Sequence, residues 1–378
     1  MSKMVDTIKL LIRIYDPLLL DGSKFAPITL EQLVNSKPGT RTYLNPSPMY
    51  KRLNKYMPRL TMHKRFSKGE PTFHLAVEFS APKLLFDSNF DELVEADFES
   101  LVTALQEKLF ELVGSRFSKR QLAEADIGTW HPSKNIIFLD YTSCQTVLNT
   151  ISKLDFSRVY DLQKTDFRDG HVVHVHCNSL DIAFYDKLAD LRQAKKSEKR
   201  AIEKDSYLQL NLLDQLEEYR PIEVFRYEVR FVGRASVKRA YPELDKWTFE
   251  TMFKRKLCQA ALVKHWQKIS DTIDMLALDV NKPYELLKNY LTDNPNVTPQ
   301  AAMAAVTGLL INGQEGVVSL RGIIVAHFGI QAWYRIKKTL KAPNANRYEA
   351  FVRIDEALEK FEPTEMKSFI KTIENTIK

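Results

Sequence analysis

The chain has 378 residues, 44% hydrophobic and 27% charged, with 55 Lys and Arg against 48 Asp and Glu and a formal net charge of +7. That length can bury two full cores, the composition is that of an ordinary globular protein, and no apolar run reaches the roughly 18–20 residues of a membrane span. Cys144, Cys177 and Cys258 are too scattered for a disulfide framework or a zinc knuckle, which points to a reducing cytoplasm.

The opening "MSKMVDTIKLLIRIYDP" is interrupted by Lys9 and Arg13 and reads as a strand, not a signal sequence. "YKRLNKYMPRLTMHKRFSKG" (50–69) interleaves Lys51, Arg52, Lys64 and Arg65 with Tyr50, Tyr56 and Phe66, a pattern suited to single-stranded nucleic acid or to a solvated hairpin. "TFHLAVEFS" (72–80) alternates with Phe73, Leu75, Val77 and Phe79 on one face. Residues 91–114 carry apolar side chains at helical spacing and stop at Gly114. "QLAEADIGTW" reads as a strand with Glu124 and Asp126 on one face, "SCQTVLNTISKLDF" as a helix, and "GHVVHVHCNSLDIAFYDK" as a strand or tight hairpin leading to Tyr185.

A charged helical stretch follows, with Lys195, Lys196, Lys199 and Arg200, and then "IEVFRYEVRFVG", whose Phe225, Tyr227, Val229 and Phe231 share one face while Arg226, Glu228 and Arg230 share the other. Beyond about residue 241 strand signals vanish and short helices succeed one another. Residues 299–341 have the spacing of a helix-turn-helix, with Trp333, Tyr334, Arg335, Lys337 and Lys338 on its last helix. The expected architecture is α+β, an antiparallel-rich sheet with flanking helices over 1–240, plus an all-α domain over 241–378.

Phosphate-loop, dinucleotide and serine-elbow motifs are absent, and only 12 glycines occur in the chain. The reactive residue types concentrate at Glu124 and Asp126, at His171, His174 and His176, at Tyr185 and Lys187, and at Glu228. His174 and His176 share a strand face, and a mixed carboxylate and imidazole set suits Mg²⁺ or Mn²⁺. A metal that engages a phosphodiester, beside a tyrosine whose phenol a neighbouring lysine acidifies, is chemistry for in-line attack on phosphorus.

Four segments, in order, resemble the II/X family of replication initiators of filamentous phages and related plasmids, which are rolling-circle nickases. They are "MVDTIKLLIRI", "LAVEFSAPKLLFDSNFDEL" (75–93), "ADIGT" (125–129), and "IAFYDKLADL" with "FRYEVRF"; "AWYRIKKTL" adds a looser match, and His174-Val-His176 resembles the metal motif of other rolling-circle initiators. The resemblance implies a Rep/relaxase-like catalytic domain. It implies a metal-dependent DNA endonuclease and strand transferase that nicks one strand of a double-stranded origin and stays joined to the 5′ phosphate. By position it makes Tyr185 the nucleophile, Lys187 its neighbour, and Asp126 and Glu228 carboxylates that serve a metal or the structure. The partners it implies are origin DNA, the displaced single strand, and a host helicase and polymerase in a bacterial cytoplasm, with no membrane. Lys51, Arg52, Lys64, Arg65, Lys195, Lys196, Lys199, Arg200, Lys337 and Lys338 are the expected phosphate contacts. The alternatives are a DNA-binding or regulatory protein without nuclease activity, and a metal-dependent nuclease that uses water as nucleophile and leaves no adduct.

Overall fold

Alternation of apolar and polar side chains, repeated over nine segments, builds a single sheet. The computed structural model describes residues 5–53, 55–67, 69–138, 142–168, 170–192, 223–273, 283–340 and 349–365. Its strands are β1 (Val5–Ile14), β2 (Arg41–Leu44), β3 (Arg59–Ser67), β4 (Glu70–Ser80), β5 (Asp126–Phe138), β6 (Leu162–Arg168), β7 (Val172–Cys177), β8 (Asp181–Asp186) and β9 (Glu223–Arg230). They lie in the order β2-β3-β4-β1-β5-β9-β8-β7-β6, with every neighbouring pair antiparallel. The fold is α+β.

β5 is the joint. Its first half pairs with β1, from Asp126 opposite Leu11 to Pro132 opposite Val5, and its second half pairs with β9, from Ser133 opposite Glu228 to Phe138 opposite Glu223. Where β5 runs past β1, its free backbone is covered: the Asn135 N–H donates to Glu92 Oε1 at 2.8 Å, and the Asn135 side chain donates to the Phe90 carbonyl at 2.9 Å. The Glu92 contact meets one of the backbone donors that β1 leaves unpaired on that edge of β5.

One face of the sheet is apolar. Ile8, Leu10, Leu75, Val77, Phe79, Val173, Val175, Phe184, Phe225 and Tyr227 are buried there with Leu101 and Leu105 of the helix Phe98–Val113, Val147 and Leu148 of Cys144–Ser152, and Leu262 and Trp266 of Arg255–Ile273. The opposite face carries the polar members of the same strands, as period-two alternation requires.

After β9 the described residues form helices only, but the cores do not divide at residue 241 as expected. Phe249, Met252, Phe253 and Trp266, and from further on Phe351, Ile354 and Leu358, belong to the core of the sheet. A separate small core spans Leu286 to Leu340 and takes in Trp333, so the last helix of the expected helix-turn-helix turns that aromatic inward. Lys153 Nζ donates to the Gly313 carbonyl at 2.8 Å and Arg321 pairs with Asp155 at 3.1 Å, which dock this bundle onto the α+β part.

A buried ion pair closes the far edge. Lys134 Nζ lies 2.6 Å from Glu92 Oε2, both side chains almost fully enclosed, and Thr364 N–H donates to the same carboxylate at 3.0 Å. Removing one partner strands a buried charge, which typically costs about 3–5 kcal/mol. Lys134→Met is therefore expected to lower the urea midpoint strongly, while the double variant with Glu92→Gln recovers part of the loss; equal midpoints for Lys134→Met and wild type would show that the pair contributes nothing.

Candidate active site on the polar face of the sheet

The register of β5, β9 and β8 assembles the site. Arg226 stands opposite Asn135 on one side and Tyr185 on the other; Glu228 stands opposite Ser133 and Ala183. Directly opposed residues in an antiparallel pair share a face, so Tyr185 and Glu228 are diagonal neighbours. The Tyr185 hydroxyl donates to Glu228 Oε1 at 2.6 Å.

Glu228 is held further by two guanidinium groups. Arg226 Nε lies 2.7 Å from Oε1, and Arg230 Nη2 and Nε lie 2.7 and 2.8 Å from Oε2. Arg226 is completely buried and spans two carboxylates, with Nη2 2.8 Å from Asp6 on β1; it also donates to the Asn89 carbonyl at 2.8 Å. Burial alone would raise the Glu228 carboxyl, but Arg230 and then Arg226 override it and bring it down to about 2. Burial pushes the Tyr185 phenol well above its ordinary value; Arg226 opposes the rise and Glu228 adds to it. Lys187 follows in the first turn of the helix Lys187–Arg192, and its Nζ donates to Asn89 Oδ1 at 2.5 Å. Burial and then the Arg226 charge hold its ammonium well below the ordinary lysine range.

The segment 75–93 supplies the neighbouring wall. β4 ends at Ser80 and the helix Ala81–Phe86 follows, stopped by Asp87 in the left-handed region at φ 56°. That reversal returns the chain so that Asn89 meets Lys187 and Arg226. Asp6, Ser80, Lys83 and Asn89 line a polar cleft together with Tyr56 and Glu78. Ser80 N–H donates to the Tyr56 hydroxyl at 2.6 Å, and Ser80 Oγ lies 3.3 Å from Asp6 Oδ1.

Not all expected site residues are brought together. Asp126 pairs with Arg234 at 2.8 Å and precedes Ser133 by seven positions on β5, about 24 Å along an extended strand. It shares no metal centre with Glu228. Glu124 is not on that strand at all: it caps the helix Lys119–Ala123 and pairs with Arg120. His174 and His176 do lie side by side, with ring centroids 3.8 Å apart, but the carboxylate they share is Asp181, and His176 Nε2 also lies 3.1 Å from Asp166 Oδ2. His174 Nε2 is 3.6 Å from Asp181 Oδ2, and His176 Nδ1 is 3.4 Å from Asp181 Oδ1. Glu228 faces Ala183, which faces His174, so the histidines stand two strand spacings away, about 10 Å. The four expected metal ligands thus occupy three places.

The trio His174, His176 and Asp181 fits a divalent cation. Its donor atoms lie within 4.8 Å of one another, and the enclosed His174 Nε2 has no hydrogen-bond partner. Burial, then Arg230 and His176, push His174 down to about 4, so the ring is a neutral ligand near pH 7.

Among rival tyrosines, Tyr227 is a core residue whose hydroxyl donates to the Leu262 carbonyl, and Tyr160 stacks on His265; Tyr141 and Tyr207 lie outside the described residues. Of the expected phosphate contacts, Lys64 is buried and its Nζ donates to the Val34 and Ser36 carbonyls, so it is committed to a loop and not to DNA. Arg65 and Lys338 are exposed and Lys337 is partly buried. Lys51 and Arg52 end the helix Pro48–Arg52, and Lys195, Lys196, Lys199 and Arg200 lie outside the described residues. Asp6, Asn89, Arg230 and Asp181 were not among the expected site residues. Arg230 had a local signal in its parity with Glu228 on β9, and Asp181 in the tight hairpin after "HVHC" that sets it opposite His176.

No family model matches the chain, and no curated protein or solved structure matches it.

His131 on β5 is pushed down to about 4 by burial, then by Arg230, with Glu228 opposing. A histidine depressed in the folded state contributes stability that is whole above its unfolded value of about 6.5 and is lost as pH falls toward 4. His63, His174 and His265 are depressed to about the same value. The urea midpoint is expected to fall between pH 6.5 and 4, and His131→Gln to flatten part of that fall; an identical pH profile for the variant would contradict the assignment.

Proposed function

We propose that this chain nicks and rejoins one strand of DNA at a replication origin, using Tyr185 as nucleophile, in the manner of the II/X replication initiators it resembles. The observation that carries the reading is the Tyr185 hydroxyl, 2.6 Å from Glu228 and set among Arg226, Arg230 and Lys187. Three of the four resembling segments contribute to this one neighbourhood: Asp6 from the first, Ser80, Lys83 and Asn89 from the second, and Tyr185, Lys187, Arg226 and Glu228 from the last. A Rep/relaxase-like catalytic fold is part of the same proposal.

In the reaction, Tyr185 Oη attacks the scissile phosphorus, the P–O3′ bond breaks, and the products are a 5′-phosphotyrosine and a free 3′ hydroxyl. In the resting site Glu228 accepts a hydrogen bond but is too acidic to take the proton, because Arg230 and Arg226 stabilise its anion. An entering phosphodiester competes for the partly exposed Arg230 guanidinium; as Arg230 turns to it, Glu228 becomes more basic and better able to take the phenol proton. Lys187, already depressed, is a suitable proton donor to the departing 3′ oxygen. A Mg²⁺ or Mn²⁺ ion held by His174, His176 and Asp181 would supply charge neutralisation for a backbone phosphate on the same face.

The same face carries Arg41, His63, His74 and Arg13 in one cross-strand row over β2, β3, β4 and β1, with Tyr43 exposed beside it. The two histidines are held neutral by burial and the flanking arginines, so Arg41 and Arg13 are the cations of the row, and with an exposed aromatic they suit a single strand. The free 3′ hydroxyl is a primer, so a polymerase and a helicase of a bacterial cytoplasm are the partners this reading implies. Among the described residues no helix is long and apolar enough to cross a membrane.

The test is a covalent adduct on a denaturing gel, with a labelled random-sequence single-stranded DNA pool and Mn²⁺. Wild type is expected to form it and Tyr185→Phe to form none while still binding DNA. Glu228→Gln should slow it by about 10²-fold or more, and Asp126→Asn should stay within a few-fold of wild type. A protein that binds the pool without cutting it would be the DNA-binding alternative, and one that cuts without an adduct would be a nuclease that uses water; an adduct that persists in Tyr185→Phe would move the nucleophile elsewhere.

A further inference from the structure

On the apolar side of the sheet, directly behind the reactive segment, three metal-ligating side chains meet. Asp186 follows Tyr185 and, by strand parity, points with Ile182 and Phe184 away from the polar face; Glu223 begins β9 on the same side, and Cys144 opens the helix Cys144–Ser152. Cys144 and Asp186 are buried, and Glu223 is partly so. The Cys144 Sγ and one oxygen of each carboxylate all lie within 4.8 Å of one another.

Ordinary structural roles account for part of this cluster only. Ser143, not Cys144, caps the helix Cys144–Ser152. Asp186 Oδ1 accepts from the Ala189 N–H at 2.9 Å, and Glu223 receives the Cys144 N–H at a long 3.4 Å. Asp186 Oδ2 has His171 Nδ1 at 3.7 Å, too far for a hydrogen bond, and that enclosed Nδ1 has no hydrogen-bond partner. Among the described residues no Lys or Arg is paired with either carboxylate. Two anions and a thiol therefore face each other with an unpaired imidazole nitrogen at the rim and no cation between them.

We propose that Cys144, Asp186 and Glu223 bind a zinc ion, with His171 supplying the fourth ligand. Sulfur, carboxylate and imidazole donors from four separate segments suit zinc, which takes four such ligands in a tetrahedral arrangement. Magnesium and calcium bind oxygen and gain nothing from a thiolate. On binding, the Cys144 S–H proton leaves to solvent, and the thiolate and two carboxylates bond the divalent ion, so affinity rises with pH. The ion would brace the turn from β8 into the helix Lys187–Arg192 against β9, behind Tyr185 and Lys187. This site stands whether or not Tyr185 is a nucleophile.

The experiment uses the full chain carrying His174→Ala and His176→Ala, so that the polar-face trio takes up no metal. After zinc loading and gel filtration, about one zinc per chain is expected by elemental analysis, and Co²⁺ loading should give a thiolate-to-cobalt charge-transfer band. Cys144→Ala in that background should abolish the band and weaken zinc binding by about tenfold or more. Glu223→Gln, at a partly exposed position, should weaken zinc binding comparably and keep the band, which guards against misfolding of the cysteine variant. A cobalt complex without a sulfur band, zinc content unchanged by Cys144→Ala, or no zinc retained by the parent would each overturn the proposal.

Discussion

The Arg226 guanidinium, wholly buried between Asp6 and Glu228, is the interaction on which the polar face depends. A charge with no access to water is tolerated only when its partners are near and its donors are met. Here the partners come from distant stretches: Asp6 from β1, Glu228 from β9 itself, the Asn89 carbonyl from the loop after β4, and Ser133 Oγ, 3.3 Å away, from β5. Losing any one leaves Arg226 undercompensated, so the four segments are fixed relative to one another. The two halves of the sheet, which meet only along β5, are joined a second time by this one side chain.

That joint sets the electrostatics around Tyr185. Glu228 is the acceptor for the phenol, yet it is shared with Arg226 and Arg230, so phenol, carboxylate and guanidinium groups are coupled: an anion that draws on the arginines changes the basicity of Glu228 and the acidity of Tyr185 together. Lys187 is linked to the same unit through Asn89, whose side chain it contacts while Arg226 holds the backbone carbonyl of that residue. A site built in this way responds to a phosphate as a unit. Single substitutions within it therefore carry effects that do not add.

The helical part shows how far a core can reach from its strands. Helices before and after the small bundle pack onto the apolar face of the sheet, and Trp266 donates to Asp355 at 2.6 Å across this layer. The small core from Leu286 to Leu340 is built instead from residues of its own helices. Loss of period-two patterning after β9 marks the end of the strands, but it does not mark the edge of the core, because a helix can cover a sheet from any distance along the chain.

Local pattern alone determined which side of β4, β7 and β9 faces the core. Phe73, Leu75, Val77 and Phe79 on β4, and Phe225, Tyr227 and Val229 on β9, are buried as their alternation requires, and the same parity sets His174 beside His176 and excludes Tyr227 from the polar face. This much is legible because successive side chains on a strand alternate by backbone geometry, whatever the neighbours. Which strands are neighbours, and in what register, is decided only in three dimensions. Asp126 looked equivalent to Glu228 in sequence, yet it begins β5 seven residues before the Ser133 that faces Glu228; Lys64 looked like a phosphate contact, yet the loop at Val34 and Ser36 folds over it. Asp6 meets Arg226 and Asn89 meets Lys187 across gaps of more than 90 residues, through cross-strand pairing and a chain reversal at Asp87 that no local period encodes.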